Sequence, residues 1–115
     1  MTATTIGLER VGTASILRIA GDVTTASETE LMEGFGRAVD DGATTVILDF
    51  SGMDYMNSGG IGLLVTLLVR AQRAGVRLLA TGLSDHYRQI LSLTRLDEAI
   101  EIHPDEATAL AAVGA

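Results

Sequence analysis

Asn57-Ser58-Gly59-Gly60 gathers an amide, a hydroxyl and two residues without side chains into four positions. Met53-Asp54-Tyr55-Met56 leads into this polar knot, and Ile61-Gly62-Leu63-Leu64 follows it. Two readings of Ser58 stand. As an N-cap, its hydroxyl accepts a free backbone N–H at the start of a helix, which stabilises by roughly 1 kcal/mol. As a chemical target, it accepts a phosphoryl group, whose charge would face the positive end of the helix dipole. Gly59 and Gly60 are poor helix formers, and one helix start does not need two of them. They leave room either for a phosphate or another backbone, or for close packing against a sheet.

The other candidates for chemistry are fewer. His86 and His103 have no second histidine at i+4, so no metal motif is visible, and both read as surface or half-buried side chains. Without cysteine there is no disulfide and no thiolate site. Asp40-Asp41 reads as a solvated helix end rather than an acid/base pair. The glycines of Gly59-Gly60-Ile61-Gly62 do not follow phosphate-loop or dinucleotide spacing. No catalytic residue, metal or cofactor is expected, and the chain is not expected to be an enzyme. The formal charge is −7, and every cation is an arginine. Such a surface repels phosphate backbones and anionic membranes, so neither nucleic acid nor membrane is an expected partner. The most apolar run, Ile61 to Val69, is too short to span a bilayer. The opening MTATTIGLER lacks a basic-then-apolar leader, so a cytoplasmic location is expected.

The elements that must position the knot follow from periodicity. The 115 residues suit one domain over 1–115, with a core needing no staples. Thr5 to Val11 and Ala14 to Ala20 read as a hairpin around Gly12-Thr13. Thr25 to Glu28 has capping-box spacing, and Leu31, Phe35, Ala38 and Val39 continue at helical spacing. Asp40-Asp41-Gly42 stops that helix. Thr44 to Leu48 is a β-branched run, expected as a buried strand. A second helix is expected from Ser58 to Ala74, ended by Gly75. A strand over Val76 to Ala80, a helix over Ser84 to Leu93 and a strand over Ala99 to Ile102 follow. A last helix spans Asp105 to Val113, with Pro104 at its first turn. The order β-β-α-β-α-β-α-β-α predicts an α/β fold, a small mixed sheet covered by helices. On the second helix, Ile61, Leu64, Val65, Leu68 and Ala71 are expected to face the core. Gly62, Leu63, Thr66, Val69, Arg70 and Arg73 are expected on the other face. In open α/β sheets, sites gather beyond the carboxyl ends of strands. That rim is expected at Gly21-Asp22, at Asp49 to Gly60 and at Thr81 to Asp85.

Leu48-Asp49-Phe50-Ser51-Gly52-Met53, then Tyr55-Met56-Asn57-Ser58-Gly59-Gly60-Ile61-Gly62-Leu63-Leu64, resembles the STAS domain family. The likeness is to its bacterial anti-sigma-factor antagonists in particular. Gly82-Leu83-Ser84 and Leu91 to Leu96 resemble the family's later helix and turn, and the element order agrees. The resemblance implies a STAS fold and a partner switch. The unphosphorylated protein would bind an anti-sigma factor that is a serine kinase. Phosphorylation at Ser58 would end binding, and a phosphatase would restore it. ATP and Mg²⁺ would belong to the kinase. Asn57, Gly59 and Gly60 would shape the phosphorylation loop, and Asp22, Met56, Gly62, Leu63 and Thr66 the partner-binding rim. The family often has aspartate before the acceptor and serine or threonine after it, where this chain has Asn57 and Gly59. The fold also admits an accessory subunit of a lipid ABC transporter ATPase, or a signalling scaffold that is not phosphorylated. Self-association is left open. A two-component receiver is disfavoured: Asp49 ends a strand, but receiver chemistry needs a lysine and the chain has none.

Overall fold

A computed structural model describes residues 2–114; Met1 and Ala115, the ends of the expected domain, lie outside the described residues. The chain opens with β1 (Thr5–Val11) and β2 (Ala14–Val23). Gly12, at φ 59°, makes the turn between them, and Val11 faces Ala14 in an antiparallel ladder. After a 3-10 turn at Thr25–Ser27 come α1 (Glu28–Asp40), β3 (Thr45–Met56), α2 (Ser58–Ala74), β4 (Arg77–Thr81) and α3 (Asp85–Leu93). A second 3-10 turn at Leu96–Glu98 precedes β5 (Glu101–His103) and α4 (Glu106–Val113). The five strands lie in sequence order, and β2 to β5 are parallel.

Strand periodicity divides the core between two faces. Leu17, Ile19, Val46, Leu48, Leu78 and Ala80 point to one, where they meet Leu31 and Phe35 of α1, Leu64 and Leu67 of α2, and Leu91 of α3. The alternate residues Ile16, Ile47 and Leu79 point to the other, where Ala109 of α4 covers them. A right-handed crossover between neighbouring parallel strands, repeated in one direction, places every crossover helix on the same side. That leaves the opposite face to α4. Arg18 ties this face together through Glu9 of β1 at 2.6 Å, Asp49 of β3 at 3.0 Å and Glu106 of α4 at 2.8 Å. Hydrogen bonds to Glu106 and then Glu9 push its already high pKa further up.

Several boundaries differ from the sequence reading. β3 runs on to Met56 instead of stopping at Leu48, because β2 pairs with it as far as Val23↔Met56. Two register shifts, between Arg18 and Ala20 and between Gly21 and Asp22, absorb its extra residues as bulges. The first capping box sits one residue earlier. Thr24 Oγ1 accepts from the Ala26 N–H, and Ser27 Oγ accepts from the Thr24 N–H. β5 begins at Glu101 because the Leu96–Glu98 turn occupies the preceding chain. Pro104 lies outside α4, whose cap is Asp105 accepting from the Thr108 N–H at 2.8 Å.

The largest correction concerns α2. Its buried side is Gly60, Leu63, Leu64, Leu67 and Ala71, while Val65 is 43 % exposed. Leu63, expected on the partner face, is only 6 % exposed and belongs to the core. Leu63→Ala should therefore cost about 2–5 kcal/mol, whereas Val65→Ala should stay within about 0.5 kcal/mol. Urea unfolding of both variants, read as midpoint shifts at unchanged slope, checks this.

Candidate functional site at the start of α2

β2 and β3 end side by side at Val23 and Met56, so two segments leave the sheet together. One is the 3-10 turn at Thr25–Ser27, the other α2. Asn57 keeps extended backbone at φ −102°, ψ −174°, and its Oδ1 accepts from the Gly60 N–H at 3.0 Å. Asn57 is therefore the N-cap of α2, and Ser58 is the helix's first residue. Ser58 is exposed, and its hydroxyl makes no hydrogen bond among the described residues. The capping reading of Ser58 is thereby corrected. An amide one position earlier does that work and leaves the hydroxyl unengaged at the positive end of the helix.

The glycine pair is explained by packing. A Cβ on Gly59 would sit 2.6 Å from Thr25 Cγ2 and 3.1 Å from the Thr25 nitrogen. A Cβ on Gly60 would overlap the Val23 carbonyl oxygen and lie 2.6 Å from Met56 Cγ. Both residues let the first turn of α2 seat directly on the end of β2 and the turn that follows it. Gly62 differs, since nothing would meet a Cβ there within 4 Å.

Next to Ser58 lies an open hollow of about 350 Å³, lined by Met56, Asn57, Ser58 and Ile61 with Ile90 and Thr94 of α3. Tyr87 fixes α3 to this rim, because its phenol oxygen accepts from the Met56 N–H at 3.0 Å. Along the outer side of α2, Ser58, Gly62, Val65 and Val69 follow one another at i, i+4, i+7 and i+11, a continuous exposed stripe. Thr66 borders it, its hydroxyl donating to the Gly62 carbonyl at 3.2 Å.

The expected site residues divide accordingly. Ser58, Asn57, Gly59, Gly60, Gly62 and Thr66 come together at this end of α2. Met56 contributes to the hollow's wall but is 5 % exposed, so it supports the surface from within the core. Leu63 faces inward, as described above. Asp22 stands apart, since its carboxylate accepts from the Thr2 N–H at 3.2 Å beside a different hollow. Ile90, Thr94 and the α2 valines were not singled out together. The spacing of the valines from Ser58 was a usable signal, whereas nothing local in α3 points to the hollow.

Two stability measurements check this geometry. Asn57→Ala should lose about 1 kcal/mol as the cap disappears, while Ser58→Ala should change stability by less than about 0.5 kcal/mol. Gly60→Ala should destabilise by about 1–3 kcal/mol despite alanine's better helix propensity, because the neighbouring atoms are backbone and core.

The STAS domain family profile matches residues 5–109. Among solved structures, an anti-sigma factor antagonist from Mycobacterium paratuberculosis superimposes with TM-score 0.84 at 20 % identity, covering 98 % of this chain and 96 % of that one. The Bacillus cell fate determinant SpoIIAA in its phosphorylated form gives TM-score 0.72 at 22 % identity, covering 95 % and 99 %. A sulfate transporter family protein from Wolinella succinogenes gives 0.76 at 19 %, covering 90 % and 86 %. At these identities the structural likeness establishes the fold, and the profile match over nearly the whole chain establishes the family: this protein belongs to the STAS domain family.

Proposed function

We propose that this chain is an anti-sigma-factor antagonist that switches partners through phosphorylation of Ser58. The single observation that carries this reading is the free, exposed Ser58 hydroxyl, left unengaged because Asn57 caps α2. A helix start that needed serine only as a cap would have used it as one. The chain contributes a hydroxyl and a docking surface, and an anti-sigma serine kinase supplies ATP, Mg²⁺ and the base. A phosphatase resets the switch. The fold shared with SpoIIAA, a protein solved in a phosphorylated form, supports the reading without assigning the site.

The physics of release is direct. Phosphorylation adds about −1.5 to −2 charges and considerable bulk. At Ser58 that group stands at the head of the exposed stripe and on the lip of the hollow. The helix start tolerates it, since the first-turn N–H groups and the dipole favour an anion there. The cost therefore falls on the complex rather than on the fold. A kinase seated on the stripe would have to accommodate a dianion on a chain that already carries −7.

Calorimetric titration against the cognate anti-sigma kinase tests the reading. Ser58→Ala should bind as well as wild type. Ser58→Glu should bind at least about tenfold more weakly, equivalent to about 1.4 kcal/mol. Equal affinity for Ser58→Glu and wild type would contradict it.

A further inference from the structure

The helix that carries Ser58 is free of carboxylates on a chain that is otherwise acidic. α2 has no aspartate or glutamate, although the chain holds 15 of them. Its only charges are Arg70 and Arg73. Arg18, Arg77, Arg88 and Arg95 each reach a carboxylate, whereas Arg70 and Arg73 reach none among the described residues. At 100° per residue, Gly62, Val65 and Val69 lie within about 40° of the Ser58 line, and Arg73 within about 60°. Arg70 is turned about 120° away. Two of the four large apolar side chains exposed among the described residues belong to this stripe, Val65 at 43 % and Val69 at 39 %. Gly62 is a notch in it, with nothing within 4 Å of where a Cβ would stand. Arg73 closes the far end in the last turn, about 22 Å along the axis from Ser58.

This stripe is complementary to itself. A two-fold axis through the middle of α2, between Val65 and Thr66, sets a second copy of the helix antiparallel to the first. Arg73 of the second copy then stands against Ser58, its Val69 against the notch at Gly62, and its Thr66 beside Val65. Each contact is made twice, as a closed two-fold pair requires. Glycine at the contact suits an axis separation near about 8 Å, the close end of helix packing. The two ends decide when the pair forms. With free hydroxyls at Ser58 the guanidiniums gain no charge partner. Two valines and a notch then fall far short of the roughly 1,000 Å² that a standing interface buries. A phosphoryl group on Ser58 sets about −1.5 to −2 charges opposite each guanidinium, and arginine grips phosphate through paired N–H donors. At 0.15 M salt the Debye length is about 8 Å, so these end contacts act while the −7 of each chain is largely screened. Resting on the reading of Ser58 as a phosphoacceptor, we propose that phosphorylation pairs two copies antiparallel along α2. Arg73 of each copy holds the phosphoserine of the other. The pair covers the stripe and the modified serine together, so it competes with kinase and phosphatase alike.

Sedimentation equilibrium of the full chain at 0.15 M salt tests this, with phosphoserine inserted at position 58 by amber suppression so that no kinase is needed. The phosphorylated chain should dimerise with Kd near or below about 100 µM, and the unphosphorylated chain at least about tenfold more weakly. In the phosphorylated chain, Arg73→Glu should restore the monomer, and so should Val65→Asp at the two-fold axis. Arg70→Glu, on the flank of the helix, should leave the dimer in place. All three positions are exposed, so the variants keep the fold. The proposal is overturned if the phosphorylated chain stays monomeric up to about 1 mM, or if the unphosphorylated chain associates as strongly. It is equally overturned if Arg73→Glu dimerises as wild type does, or if Arg70→Glu abolishes the dimer as fully as Arg73→Glu. A monomeric phosphorylated chain leaves kinase labelling of Ser58 standing, whereas failure of every kinase to label Ser58 strikes the function and not this pairing.

Discussion

The parallel pairing of β2 with β3, carried out to Val23 and Met56, is the constraint on which the rest depends. Both strands are buried on both faces over their first halves, so their ladder fixes the two apolar layers at once. The same ladder sets Arg18 beside Asp49 and so anchors α4 through Glu106. At its far end it brings the Val23 carbonyl under the first turn of α2. Only a residue without a Cβ fits there, so Gly60 fixes where the helix sits. Once Gly60 is seated, its N–H is within reach of Asn57, and the cap falls on the residue before the serine.

The consequence is a division of labour within three residues. Asn57 satisfies an N–H, Gly60 makes the contact with the sheet, and Ser58 is left with no structural duty among the described residues. A hydroxyl held at the start of a rigid helix, exposed and unpaired, is suited to modification. Because the exposed Ser58 side chain makes no hydrogen bond among the described residues, changing its charge need not disturb the core. The Met56 N–H is held by Tyr87 of α3, so the hollow beside Ser58 has two walls fixed to each other. In the proposed switch, partner recognition and modification share one surface while stability resides beneath it.

Much of this was readable from residue patterns, and the failures have physical causes. The element order followed from β-branched runs alternating with helical spacing, and STAS membership from the segment around the knot. β3 was read too short because Asp49-Phe50-Ser51-Gly52 is locally turn-like; a strand some thirty residues earlier holds it extended. The buried face of α2 was misassigned because the helix is apolar nearly all round. With Ile61, Leu63, Leu64, Val65, Leu67, Leu68 and Val69 in succession, the 3.6-residue period carries little information. Asn57 and Ser58 are both good caps, so composition does not separate them; contact with β2 does. Ile90 and Thr94 reach the site only through strand order, which leaves no trace in their own neighbourhood. Asp49 does not end its strand; it orders the continuation, for its carboxylate accepts from the Ser51 N–H at 3.0 Å.

The central claim, that Ser58 is a chemical target rather than a cap, is tested most directly by intact-mass spectrometry. Wild type and Ser58→Ala would each be incubated with the candidate anti-sigma kinase and Mg·ATP. The account predicts one added phosphate on wild type and none on the variant. No phosphate on wild type, with the kinase active on a competent control substrate, would contradict it, as would equal labelling of both proteins.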